Sequence, residues 1–185
     1  YLLGGAFSSR INLNLREDKG FTYGARSGFS GTEFAGPFTA SAGVRSNASD
    51  SSVVEFMKEI KRMREEGITD AELAFVKSAM GQSEARSYET PIQKATFLDN
   101  ILRYNLDKNY VQRQNEILQN ITKAEINALA KKYLPYEKMN ILLVGDKAAI
   151  RPGLEKLGYE IVELDTEGNI LKQTSAIPEA TKQVN

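Results

Sequence analysis

The sequence has no histidine, no cysteine and no tryptophan among its 185 residues. Without His or Cys the chain cannot carry a Ser-His-Asp or Cys-His catalytic set, nor an ordinary structural zinc site. Any metal would have to sit on oxygen ligands alone. The missing cysteines also exclude disulfides, and that leaves the compartment open, because secreted and cytosolic domains of this size both do without them. Charge of one sign is missing too. The 24 Lys+Arg balance 24 Asp+Glu to a net charge of zero, which argues against a partner made of nucleic acid, since neutralising phosphate needs a basic surplus. Long apolar runs are absent. One of the longest, Ile141-Leu142-Leu143-Val144, falls far short of the roughly 18 to 20 residues of a membrane span. The opening Tyr1-Leu2-Leu3-Gly4-Gly5 has neither an initiator Met nor a basic lead-in. It does not read as a signal peptide, and its start in mid-pattern gives the expectation of a fragment of something longer.

What is present is the composition of an ordinary globular protein, 41% hydrophobic and 26% charged, at a length that suits one domain. Phe7, Ile11 and Leu15 recur every fourth residue with Ser8, Ser9, Asn12 and Asn14 between them, so the spacing predicts a short amphipathic helix over residues 6 to 18, ended by Gly20. Residues 21 to 46 alternate aromatic or aliphatic with small or polar residues and predict a two-stranded hairpin turning near Thr32 to Pro37. From Ser49 the period becomes helical. Ser52 to Glu55, Thr69 to Glu72, Thr90-Pro91 and Thr122 to Glu125 read as helix starts, with a further helix over about 109 to 119 and stops at Gly67 and Pro135. Met139 to Val144 reads as a buried strand, 147 to 157 as a helix, and Tyr159 to Leu164 as a last strand. Beyond 165 periodicity is lost, and from Thr174 the chain reads as a frayed tail. This order gives an α+β layout: a two-layer sandwich whose mainly antiparallel sheet is covered on one face by helices, with a domain over 1–165 and a tail over 166–185.

The chemistry concentrates in Leu15-Arg16-Glu17-Asp18-Lys19-Gly20-Phe21-Thr22-Tyr23-Gly24. Arg16 closes a helix, Gly20 lets the chain turn, and Tyr23 opens a strand seven residues later. Such a turn can bring a guanidinium and a phenol to one oxygen, and paired donors of this kind stabilise a developing oxyanion in acyl transfer. The same spacing also admits a plain reading, with Arg16 on a helix-end carbonyl or a nearby acid and Tyr23 a half-buried strand aromatic.

From Leu3 to Gly24 the pattern of Gly4-Gly5, Ser8-Ser9-Arg10, Leu15-Arg16-Glu17 and Gly20-Phe21-Thr22-Tyr23-Gly24 resembles the insulinase/pitrilysin family of zinc metallopeptidases, which includes mitochondrial processing peptidases and bacterial homologues. A looser similarity runs to about residue 165, through Gly43-Val44, Gly67 to Leu73 and Val144-Gly145-Asp146. In that family the proteolytic unit is a clamshell of two related halves, one of which holds zinc on an inverted His-x-x-Glu-His motif. A chain with no histidine cannot be that half. The resemblance implies the partner half, in which an Arg and a Tyr seven residues apart reach the substrate. Arg16 and Tyr23 keep that spacing and are the implied catalytic residues, binding the scissile carbonyl or oxyanion. The implied protein is part of a zinc endopeptidase acting on peptides or unfolded polypeptides. The resemblance also implies that zinc lies in the partner half, that this chain binds no cofactor or metal, and that the fragment alone is inactive. The implied fold lacks its first strands, and the implied setting is bacterial, cytoplasmic or periplasmic. The alternative is a non-catalytic scaffold or peptide-binding homologue of the same fold.

Other features read as structural. Glu55, Glu59, Glu65, Glu66 and Glu72 lie among Lys58, Lys61 and Arg62 and are expected to form a solvated face. Met57, Met63, Met80 and Met139 are expected to fill the core. Asp165 to Asn169 is rich in oxygen donors but lacks calcium-loop spacing, and reads as a turn.

Overall fold

The structure, a computed structural model, describes residues 1–31, 34–85, 88–134 and 136–174. The chain opens with a short turn and one helical turn, α1 (Arg10–Asn12), which widens directly into a π-helical turn over Leu13–Asp18. Gly20, at φ +60°, ends it by taking the left-handed conformation that other residues adopt at a cost. Two strands follow, β1 (Thr22–Phe29) and β2 (Phe38–Val44), paired antiparallel from Thr22 opposite Val44 to Phe29 opposite Phe38. The expected turn between them falls partly on residues 32 and 33, outside the described residues.

The helices then come in sequence: α2 (Ser49–Glu65), α3 (Asp70–Ala85), α4 (Pro91–Arg103), α5 (Tyr110–Asn120), α6 (Lys123–Tyr133) and α7 (Lys147–Leu154). Three of the expected helix starts are built as their residues dictate. Thr69, Thr90 and Thr122 each accept a hydrogen bond from the backbone N–H three residues on, and Glu72, Gln93 and Glu125 reach back to the capping residue's own N–H. Ser52 is different. A 3-10 turn over Ser46–Ala48 starts α2 earlier, so Ser52 is buried inside the helix rather than capping it.

The core gathers Leu3, Ile11, Leu15, Ala25, Ile60, Met63, Ile68 and Leu134, with Phe38, Ala40 and Ala42 of β2 packed against it. Ile11 and Leu15 are fully buried, and removing side chains of this size from water stabilises a fold by roughly 1.5 to 3 kcal/mol each. The period-2 pattern of β2 therefore places one face of the hairpin on the helices, while α2 packs against α6 and α7.

The α+β class and the antiparallel pairing match the sequence. Among the described residues, however, the strands form two separate two-stranded sheets, β1-β2 and β3-β4, where one continuous sheet was expected. Met139 to Val144 is not a strand. A strand needs a neighbour for its N–H and C=O groups, and among the described residues none lies alongside this run. Leu142 and Val144 are 77% and 93% exposed. β3 (Ile161–Leu164) is the expected last strand, and it pairs with β4 (Ile170–Thr174), for which the sequence carried no periodic signal. The turn between them is held by Asp165, whose carboxylate accepts the N–H groups of Glu167 and Asn169 at 3.0 and 2.7 Å. These local hydrogen bonds make it an Asx-type turn.

Candidate functional site

Arg16 and Tyr23 both sit where the backbone departs from regular geometry. Around Arg16 the helix is π-helical: the Lys19 N–H donates to the Asn14 carbonyl at 3.0 Å, an i to i−5 bond that encloses Arg16. Single π-turns inside helices cost hydrogen-bond quality and recur at functional sites. Around Tyr23 the sheet carries a bulge. Thr22 pairs with Val44 and Ala25 with Ala42, so Tyr23 and Gly24 together oppose the single residue Gly43. Bulges of this kind re-aim a side chain out of the ladder.

Thr22 fastens that bulge. Its hydroxyl lies 2.7 Å from the Gly43 carbonyl and 2.9 Å from that of Gly24, and it accepts the Gly24 N–H at 3.1 Å. The outcome is a Tyr23 side chain that is fully exposed. Arg16 lies over the ring of the exposed Phe7, with its guanidinium carbon 3.4 Å from the ring centre. Such a cation–π platform fixes the plane of the guanidinium. Its Nε donates to Glu17 Oε1 at 2.9 Å, and Nη2 bonds the same oxygen. No hydrogen bond joins Arg16 to Tyr23 among the described residues. Among the described residues the phenol hydroxyl and the remaining guanidinium N–H groups have no hydrogen-bond partner, with 18% of the Arg16 side chain in solvent, and both are donor groups.

The frame behind the pair is polar and buried, which the sequence did not convey. Asn12 and Asn14 fall between the apolar positions of the expected amphipathic helix, yet only 7% and 8% of their surface is exposed. The π-turn rotates the helix surface, so that Asn14 meets α2. There its Nδ2 donates to Glu55 Oε2 at 2.7 Å and Glu59 Oε1 at 2.9 Å. Glu59 is 3% exposed and lies 3.5 Å from Arg62, so it belongs to this frame and not to the solvated face expected of it. Glu65 and Glu66 are exposed as expected. Partial burial disfavours the Glu55 carboxylate, but hydrogen bonds from Asn14 and Lys58 outweigh it and hold its pKa below the ordinary value. A signal was there to be used: two asparagines inside a short helix are poor helix formers and call for a local reason.

Arg10, on the same helical turn, makes a bidentate pair with Glu72, both bonds at 2.7 Å, and donates to the Gly67 carbonyl at 2.8 Å. It ties the N-terminal helix to the start of α3. The hydrogen bond from Arg10 is the largest influence on Glu72 and holds its carboxyl at about 2.

A zinc site does not fit this donor set. The chain has no His or Cys, and among the described residues no three acidic groups converge. Nor, among these residues, is any helix long and apolar enough to cross a membrane.

Residues 1–80 match the family model of the peptidase M16 inactive domain. Among solved structures, a peptidase M16 inactive domain from Pseudomonas fluorescens is similar, with 26% identity and a TM-score of 0.68 over 74% of this chain and 33% of that one. A protease from Helicobacter pylori shares the fold at 20% identity and TM-score 0.65, over 71% of this chain and 32% of that one. A conserved protein from Enterococcus faecalis shares it at 19% identity and TM-score 0.57, over 71% and 30%. The matched part thus spans about a third of each of these longer chains. No curated protein matches the sequence. The motif from Leu3 to Gly24 lies wholly within the matched residues, and the family match and the shared fold together relate this chain to the peptidase M16 family through its inactive, non-zinc half.

Proposed function

We propose that this chain is the partner half of a clamshell zinc endopeptidase, closing over a metal-bearing half and lending Arg16 and Tyr23 to the substrate. The observation that carries this reading is the pairing of irregularities: a π-turn presents Arg16, and a bulge turns Tyr23 fully to solvent. Among the described residues the exposed Tyr23 phenol, held out by a fastened bulge, makes no hydrogen bond or ring contact. It suits an oxygen supplied by a bound peptide. In this reading both side chains donate hydrogen bonds to the scissile carbonyl oxygen and hold it more strongly as it gains negative charge, which is what lowers a barrier. The metal and its ligands belong to the other half, in the same polypeptide or a separate subunit. The substrate is an extended peptide or unfolded polypeptide, since the chamber between two halves excludes folded chains by size.

A second reading, a scaffold that keeps the fold without the chemistry, draws on the Arg16–Glu17 pair, which occupies part of the guanidinium. One experiment separates the two: hydrolysis of an unstructured peptide by the assembled two-half enzyme, wild type against Arg16→Ala, with this chain alone as control. The peptidase reading expects no turnover by the chain alone. It expects a loss on the order of a hundredfold to a thousandfold in kcat/KM for the variant, as for removal of one oxyanion donor. A wild-type rate for Arg16→Ala would leave the scaffold.

A further inference from the structure

Among the described residues the buried Asn12 and Asn14 make no hydrogen bond to the Arg16 or Tyr23 side chain, yet between them they bond to both pieces of backbone that present those side chains. Asn12 accepts the Ala25 N–H at 2.7 Å through Oδ1 and donates to the Ala25 carbonyl at 2.9 Å through Nδ2. It satisfies both backbone groups of one strand residue, as a neighbouring strand would. Ala25 is also where the β1-β2 ladder resumes after the bulge, two residues past Tyr23. The same Nδ2 lies 3.0 Å from the Ala6 carbonyl and 3.2 Å from Ser9 Oγ, so the clamp is tied back to the start of α1. Asn14 holds the other piece. Its side chain bridges Glu55 and Glu59 on α2, while its carbonyl accepts the bond from Lys19 that closes the π-turn around Arg16.

We infer that Asn12 and Asn14 are positioning residues for the proposed pair, Asn12 setting the bulge that aims Tyr23 and Asn14 setting the π-turn that aims Arg16. The inference rests on the peptidase reading above. Its physical basis is that both irregular turns cost free energy relative to regular backbone and persist only where side chains over-determine them. An amide is suited to Ala25 because one N–H donor and one oxygen acceptor are needed on the same planar group. At position 14 an NH2 group is needed between two carboxylates, where a third acceptor would leave like charges facing one another.

The test is a pair of double-mutant cycles in the complete two-half enzyme with its zinc bound, following hydrolysis of an unstructured peptide. Asn14→Ala is measured alone and in the Arg16→Ala background, and Asn12→Ala alone and in the Tyr23→Phe background. Misplacement of a positioned group costs about 10- to 100-fold in rate, so each single asparagine variant should lose that much kcat with little change in KM. In the background lacking its partner side chain the same substitution should have no further effect. Unchanged kcat, or an equal loss with and without Arg16 or Tyr23, would overturn the inference, because a merely structural asparagine acts whether or not the donor is there. If Asn12→Ala does not fold, Asn12→Asp enters the same cycle. It is isosteric and keeps the acceptor for the Ala25 N–H while losing the donor to the carbonyl. Arg16→Ala and Tyr23→Phe running at the wild-type rate would remove the peptidase reading itself, and that result is visible before any asparagine is changed.

Discussion

Glu17 holds the Arg16 guanidinium through one carboxylate oxygen, with about half of the Glu17 side chain in solvent. An exposed pair of this kind contributes about 0.2 to 1 kcal/mol, and under the proposed role a substrate oxygen would compete with it. Glu17→Gln should therefore raise kcat/KM of the assembled enzyme by about 1.4- to 5-fold, the same energy expressed as a rate. A fall in kcat/KM would mean that Glu17 aligns Arg16 and does not restrain it. Glu72 makes a prediction about pH. Its folded pKa, about 2, lies below the ordinary 4.5 because of Arg10. A carboxyl depressed in the folded state contributes stability that is present above its unfolded pKa and is lost as pH falls towards the folded one. In urea unfolding, wild type should exceed Glu72→Gln in stability by most above about pH 5, and the gap should close between about pH 4 and 2. A gap that does not change over that range would show that the pair does not couple to folding.

Elements whose signals are local could be read in advance, and those that depend on distant partners could not. Thr69, Thr90 and Thr122 cap their helices because the capping residue and its partner lie three positions apart in sequence. The hairpin from Thr22 to Val44 followed from alternation and glycine punctuation. Arg16 and Tyr23 stood out by spacing and resemblance. What supports them did not: Asn12 bonds a strand 13 residues away and Asn14 a helix more than 40 residues away, and neither contact leaves a periodic trace. The π-turn and the bulge were hidden for the same reason, since a register shift of one residue is set by tertiary contacts. Met139 to Val144 is the opposite case. Its composition is that of a strand, but pairing is a property of two segments, and here no second one is described alongside. No backbone hydrogen bond of residues 141 to 144 appears among the described residues. Their amides should exchange with deuterium near the rate of an open chain in the isolated protein, while the Ala25 and Ser27 amides, bonded to Asn12 and Gly4, should be protected. Strong protection across 141 to 144 would show that this run finds a partner in solution.

For the whole molecule, the zero counts of His and Cys and the even charge acquire a specific sense beside the M16 match. They fit the proposed role of a half that closes and positions while its counterpart holds the metal. The helices build a base, the hairpin packs one face on it, and the N-terminal turn is bonded to both by Arg10, Asn12 and Asn14. The proposed value of Arg16 and Tyr23 to catalysis depends on assembly, and the central claim is therefore tested in the complete enzyme. The most direct measurement is kcat/KM for an unstructured peptide with Tyr23→Phe in the two-half assembly, at zinc content equal to wild type. Removing only the hydroxyl leaves the ring and the bulge in place. The account predicts a loss on the order of a hundredfold to a thousandfold, and a wild-type rate would contradict it.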